Sequence, residues 1–428
     1  MYRVWYSTES FADFIIDHTN LKNENVVKQK MYESDASHPA KFHTTPDHIR
    51  KILYLDAPDC IVEKDNEPVF SIEVTTEAET GHNAFQRFAR IAAAAENGVP
   101  AFYIYPEGAI ISRKKRNKPD TTKQTKQQYF SKWDEINPLI FRAMDAVMSI
   151  YDIPALLYYF PSDFTQYRGK PEASPNYANK GLRFDPDIVR YTACPDSSDS
   201  SMIRMFEALN EILEMTERYG VQPARGKLLK NIRIRKQKDF MQMEFAKKAG
   251  DAPIETMSPL SAVTFVPTKY ILQYLSKYEH SGYKVGELLR SREETAVYQC
   301  NAQFRGDPYP GALAAIDYLS CREGRTFEER RYNLILVFGA LTVDHAHQTI
   351  MVADEHHSTI QDFFSAVQSC AKQNLLTKNY DELQNKEIPR YLMQVRYGST
   401  YSKVKHIRVY SYFSDAILFP DGALWRDA

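Results

Sequence analysis

Cysteine is scarce in this chain and its glycines do not cluster, and both shortages narrow what the protein can be. Five cysteines among 428 residues, odd in number and widely spaced, form neither a zinc-ligand pattern nor a disulfide framework, which points to a reducing, cytoplasmic setting. The 16 glycines nowhere group as a phosphate cradle, so neither a P-loop nor a dinucleotide fingerprint is present and no nucleotide cofactor is expected. No apolar run approaches the roughly 18 residues of a membrane span. The first residues, MYRVWYSTESFADF, lack the basic start and apolar core of a secretory signal. Neither sign of charge is in excess: the net value of −1 does not itself suggest a nucleic-acid partner.

The charge is instead segregated. Asp59–Glu79 holds seven acids and one lysine, Arg113–Lys126 seven Lys or Arg and one acid, and Arg225–Lys238 seven with no acid. An acidic pocket between basic segments suits a metal-dependent enzyme acting on a polyanion, although solvated loop charge is the plainer reading of either basic run alone. The length implies two or three domains.

One stretch organises the rest. Leu53–Pro106 reads as strand, tight turn, strand, helix, strand. Val69–Thr75 alternates, with Phe70, Ile72 and Val74 on one face and Ser71, Glu73 and Thr75 on the other. Asp59 lies on the preceding strand, beyond a turn at Lys64-Asp65-Asn66-Glu67-Pro68. If the two strands pair, Asp59 and Glu73 share one edge of a sheet. The helix that follows presents Phe85, Phe88, Ala89, Ala92 and Ala95 for packing, with Asn83, Gln86, Arg87 and Arg90 opposite, and Ala101–Tyr105 reads as a buried strand. Two carboxylates with the Val74 carbonyl are hard oxygen donors of the kind Mg²⁺ takes. Thr75 can orient a water, and Gln86, Arg87 and Arg90 can reach a phosphate. The alternative reading makes Asp59 a turn acid and Glu73 an exposed strand residue.

The order Pro58-Asp59, thirteen residues, then Glu73-Val74-Thr75 on an apolar strand resembles the core of the PD-(D/E)XK nucleases, the fold of most type II restriction endonucleases. The resemblance covers residues 20–107. It implies an α/β fold, a mixed sheet flanked by helices, and a Mg²⁺ site held by Asp59 and Glu73. It also implies a further acid from an upstream helix, Glu33 or Glu24, that helix being Asn20–Glu33 with Val26, Val27 and Met31 inward. Thr75 departs from the family, which has a lysine there; Arg87 is a neighbouring cation able to substitute. The implied function is Mg²⁺-dependent cleavage of double-stranded DNA. The alternatives are a degenerate nucleic-acid-binding protein and a defence or repair nuclease acting on RNA or structured DNA.

The expected organisation is a nuclease core at 1–165, a linker at 166–201, and a mainly helical and mixed α/β region at 202–428 for target recognition and homodimer contacts, since two strand cuts ordinarily need two sites. Within that last region Met202–Tyr219, Pro267–Tyr278 and Lys284–Arg292 read as helices, Tyr332–Val343 and Val404–Phe419 as strands, and no internal repeat is evident. A competing metal cluster is Asp344, His345, His347, Asp354, Glu355, His356 and His357.

Overall fold

The structure is a computed structural model, and it describes residues 1–31, 45–76, 81–114, 129–163, 181–278, 289, 292–300, 308–355, 359–360, 362, 390–391 and 402–426. The fold is α/β, with mixed sheets flanked by helices.

The first sheet begins with β1 (Tyr2–Tyr6), followed by α1 (Glu9–His18) and β2 (Val26–Lys30), which returns parallel to β1. Over residues 20–31, the described part of the helix expected over 20–33, no such helix forms. A 3-10 turn at Asn20–Asn23 leads into the edge strand β2, where the β-branched pair Val26-Val27 gains backbone pairing that a short helix would not offer. A single turn, α2 (Asp47–Arg50), precedes β3 (Cys60–Lys64) and β4 (Glu67–Val74). These two form the expected hairpin. Asp65 and Asn66 both take positive φ, 51° and 65°, the conformation that a two-residue hairpin turn requires.

A 3-10 helix at Gly81–Arg87 then runs into α3 (Phe88–Glu96), and β5 (Ala101–Pro106) returns parallel to β4. A ribbon of β6 (Gly108–Lys114) and β7 (Tyr129–Glu135), α4 (Leu139–Tyr151) and β8 (Ala155–Phe160) complete the unit. The strand order is β2-β1-β3-β4-β5-β8. Three helices follow: α5 (Ser200–Tyr219), α6 (Val221–Arg225) and α7 (Ile232–Ala249). Asp199 caps α5 and Gly220, at φ 80°, ends it. Phe206 of α5 meets Phe14 of α1, and the Leu157 N–H of β8 donates to Met241 Sδ of α7 at 3.1 Å. The chain after residue 201 therefore still builds the first layer, and the expected division at 166–201 separates stretches of sequence rather than packed bodies.

The second sheet starts at β9 (Val263–Pro267), followed by α8 (Thr268–Leu275), β10 (Glu294–Cys300), α9 (Tyr309–Ile316) and β11 (Asn333–Phe338). A ribbon of β12 (Ala340–Asp344) and β13 (Thr349–Ala353), the short β14 (Arg390–Tyr391), α10 (Ser402–Phe413), β15 (Ala416–Phe419) and β16 (Gly422–Arg426) close it. Its order is β14-β16-β15-β11-β10-β9. The strand expected over 332–343 divides at Gly339, φ 142°. The stretch 404–419 is helix first and strand only at its end, because its aromatic residues serve the helix that packs under the sheet. Most of 284–292 lies outside the described residues.

Helices α3 and α4 cover the inner face of the first sheet, and α9 and α10 that of the second. The two helix layers meet, so Ala296, Tyr298, Leu334 and Leu336 join the same core as Phe88 and Ile91. The opposite sides of those strands, Val297, Ile335 and Val337, pack with Ile271 and Tyr274 of α8. At the meeting point Glu96, the last residue of α3, accepts hydrogen bonds from the Tyr54 hydroxyl and, at 2.7 Å, from the Tyr318 and Tyr412 hydroxyls. Arg322 lies 3.6 Å from the same carboxylate and pairs with buried Asp317, which also binds Arg330.

Close approach of the layers depends on Gly311. A Cβ there would lie 1.7 Å from the Phe85 carbonyl oxygen. Gly311→Ala should destabilise the protein by about 1–3 kcal/mol in denaturant or thermal melts. Gly226→Ala, where nothing lies within 4 Å, should be close to neutral.

Candidate functional site

The β3–β4 register sets Cys60 opposite Ile72, so Asp59 comes to rest across from Glu73. Both Asp59 oxygens are fixed. Oδ2 accepts the Val74 N–H at 2.9 Å, and Oδ1 accepts the Ser7 hydroxyl at 3.0 Å. Ser7 arrives because β1 pairs with β3, Tyr6 lying opposite Cys60. The expected pairing of Asp59 with Glu73 is therefore what the hairpin builds. The strand alternation also holds: Glu73 stands on a face apart from Phe70 and Ile72. That face lies under α3, and Glu73 is only 1% exposed.

Arg90 of α3 supplies its counter-charge. The Arg90 Nη1 lies 2.6 Å from both Glu73 oxygens, while Nε and Nη2 reach Asp56 Oδ2 at 2.8 and 2.7 Å. This corrects the expectation that Arg90 reaches toward a phosphate from a free helix face. Helix α3 has buried residues all round, including Ile91, Ala93 and Ala94, because α9 covers the side away from the sheet. Arg90 consequently turns to the buried acids. Arg87, at the start of the helix, lies 3.4 Å from Glu73 Oε1 and keeps part of its side chain exposed. It is the cation placed between Glu73 and solvent.

The charges do not balance evenly. Burial is the largest influence on Glu73 and pushes its carboxyl up to about 8; Asp59 adds to this, while Arg90 and Arg87 pull it down. Asp56 and Glu73 hold the Arg90 guanidinium charged against the cost of its own burial. These shifts pull the shared contact in opposite directions. Burial raises the Glu73 carboxyl, and Arg90 stays charged between Asp56 and Glu73.

Asp59, Glu73 and the Val74 peptide offer hard oxygens at one corner. In an extended strand the N–H and C=O of a residue point the same way, so the Val74 carbonyl faces Asp59 as its N–H does. That set fits Mg²⁺, which commonly uses one or two carboxylates and completes its shell with water and phosphate. Among the described residues no group of three or more His, Cys, Asp or Glu has metal-holding geometry.

Thr75 is buried on the Glu73 face, its hydroxyl 3.5 Å from the Tyr103 hydroxyl. Gln86 sits in the 3-10 helix against Gly311. Glu24 ends the Asn20–Asn23 turn beside the start of β1, where the Tyr2 N–H donates to the Asn25 carbonyl at 3.1 Å. That is the end of the sheet away from Asp59, so Glu24 is not part of the site. Glu33 lies outside the described residues, as do His356 and His357. Asp344 and His347 pair across a tight ribbon turn at 2.8 Å, with His347 well exposed, and they form no metal cluster. Sequence reasoning missed Asp56, Ser7 and Tyr103. The spacing Asp56-Ala-Pro-Asp59 was a visible signal for the first; Ser7 and Tyr103 enter only through strand pairing.

Two measurements check this arrangement. A raised folded-state carboxyl contributes stability that is full below its ordinary value and lost as pH climbs to about 8. Relative to Glu73→Gln, the wild type should lose stability over that window, as read by denaturant melts across pH. Arg90→Met should cost about 3–5 kcal/mol by stranding buried acids, whereas Arg87→Ala should stay within about 1 kcal/mol.

The sequence matches no family model, and no curated protein or solved structure matches it.

Proposed function

We propose that the chain is a Mg²⁺-dependent endonuclease that hydrolyses phosphodiester bonds of double-stranded DNA, of the type II restriction kind. The observation that carries this reading is the Asp59–Glu73 pair, two carboxylates from neighbouring strands held either side of the Val74 peptide. Asp59, Glu73 and the Val74 carbonyl would hold the ion. When bound, Mg²⁺ supplies Lewis acidity that eases deprotonation of a water and offsets phosphate charge.

The chain's own groups do the remaining work. Ser7 and the Val74 N–H keep Asp59 in one orientation, so little reorganisation is needed when substrate arrives. Arg90 and Asp56 form the support under Glu73. Arg87, partly exposed beside Glu73, is the group that meets a phosphate oxygen. Thr75 and Tyr103 supply hydroxyls on the same face, in place of the ammonium that the resemblance leads one to expect.

The β6–β7 ribbon leaves the carboxyl end of β5 and carries Arg113 and Lys114 at its far end. Lys248 of α7 reaches Glu107 at 3.2 Å, so that helix ends beside the same rim, while its exposed Arg235 and Lys236 lie toward its start. Such groups neutralise phosphates and make affinity salt-dependent.

A second reading, a binding protein without cleavage, is favoured by one observation: Thr75 is a buried neutral residue where a lysine would assist water activation. Incubating duplex DNA with the purified protein decides between them. Cleavage in Mg²⁺ should vanish in EDTA and fall about 100-fold or more in Asp59→Asn and Glu73→Gln, with DNA binding retained. Full activity in either variant would sink the nuclease assignment. Salt-sensitive binding with no cleavage of DNA or RNA would favour the second reading, and general degradation would exclude a sequence-specific enzyme.

A further inference from the structure

The two sheets repeat one plan. In the first, the antiparallel hairpin β3–β4 is followed by α3, parallel β5, the β6–β7 ribbon, α4 and parallel β8. In the second, β9 lies antiparallel to β10, followed by α9, parallel β11, the β12–β13 ribbon, α10 and parallel β15. The strand pairings and inner helices correspond: an antiparallel neighbour, two parallel neighbours, an inner helix before each of these, and a ribbon ahead of the second inner helix; the copies differ in that α8 joins β9 to β10 where a tight turn joins β3 to β4, and in that β14 precedes α10. The repeat is one of topology and not of sequence, where none is evident.

The copies face each other as paired subunits do. The contact is reciprocal: α3 reaches the other copy's α10 through Glu96 and Tyr412, and Tyr318, in the turn of helix just after α9, reaches α4 through Tyr151 at 3.1 Å. Self-complementary contacts of this kind are the mark of twofold pairing. Phe85, before α3, meets Gly311 near the start of α9, while Glu96 meets Tyr318 at the other ends. The helices thus run side by side in one direction, and the corners at their starts lie at the same end of the molecule. His82 and Tyr309, one from each copy, have ring centroids 6.1 Å apart there.

The corners differ in chemistry. The first holds Asp56, Asp59 and Glu73. In the second, β9 reads VTFVP and β10 reads ETAVYQC; their one acid, Glu294, is exposed at the far end of β10. The inward-facing positions are Ala296, Tyr298 and Cys300, and α9 carries no charged residue.

We propose that the second copy is an in-chain partner lobe that stands where a second subunit would and adds no second cutting site, so that one chain makes one strand break per binding event. This rests on the endonuclease reading and replaces the expected homodimer by a pair within one chain. A catalytic pair needs two acid sets to cut both strands together; this chain has one among its described residues.

Two readouts on the full-length protein test it separately from the nuclease reading. Sedimentation at micromolar concentration, alone and with a short duplex, should give the mass of one chain. With supercoiled plasmid and Mg²⁺, nicked circles should accumulate as the first product, at a rate linear in enzyme, and linear DNA should follow only from later independent nicks. A two-chain species, or linear product with no nicked precursor, would overturn the proposal. A one-chain species with no cleavage at all would remove the nuclease reading and the single cut with it, leaving the lobe pairing supported by mass. Glu73→Gln should slow nicking about 100-fold or more while the mass stays that of one chain; nicking at the wild-type rate in that variant would place a cutting site elsewhere and also count against the proposal.

Discussion

A buried charge must find a partner, and in this protein one short helix answers that demand at both ends. Helix α3 carries Arg90 to Asp56 and Glu73 near its start and Glu96 to three tyrosines at its finish. Leaving either group unpaired in the interior would cost several kcal/mol. The helix therefore cannot slide or rotate without breaking one set of contacts. Its small residues, Ala89 and Ala92 to Ala95, let the sheet and α9 close on it from both sides. The position of the acidic corner and the joining of the two copies follow from the same element.

This is also why the sequence was legible in part. The run Cys60–Pro106 showed its hairpin, helix and strand through alternation and turn chemistry, signals that are local, and Asp59 and Glu73 fell where that pairing set them. Arg90 was misjudged because helical periodicity separates an apolar face from a polar one, while α9, more than two hundred residues away in sequence, covers the polar face. Distant partners of this kind leave no trace in a window of neighbouring residues. The edge strand β2 and the helix α10 were misread for a related reason: tertiary pairing in one case, and packing under a sheet in the other, overrode a weak local preference.

The repeated plan escaped notice because topology was kept while side chains changed. Glycine and small residues mark comparable places in the two inner helices, Gly81 before α3 and Gly311 within α9, and each sits where a Cβ would strike backbone oxygen. The second corner carries no matching pair of acids among its described residues. The arginines Arg90 and Arg87 offset the burial of Glu73, and the second copy, with Ala296 and Tyr298 inward, has the packing such a corner needs when no charge is there.

The Glu96 cluster has a consequence for how the chain comes together. Its oxygen partners lie 42, 222 and 316 positions away along the chain. Contacts of such separation are slow to form and arrive late as a polypeptide leaves the ribosome. The first copy can pair its strands early, but the carboxylate ending its inner helix waits for Tyr412 before its set of partners is complete. Until Tyr412 has emerged, the layer that later becomes the common core remains open on one side, and this is an interval in which the protein is exposed to aggregation and proteolysis.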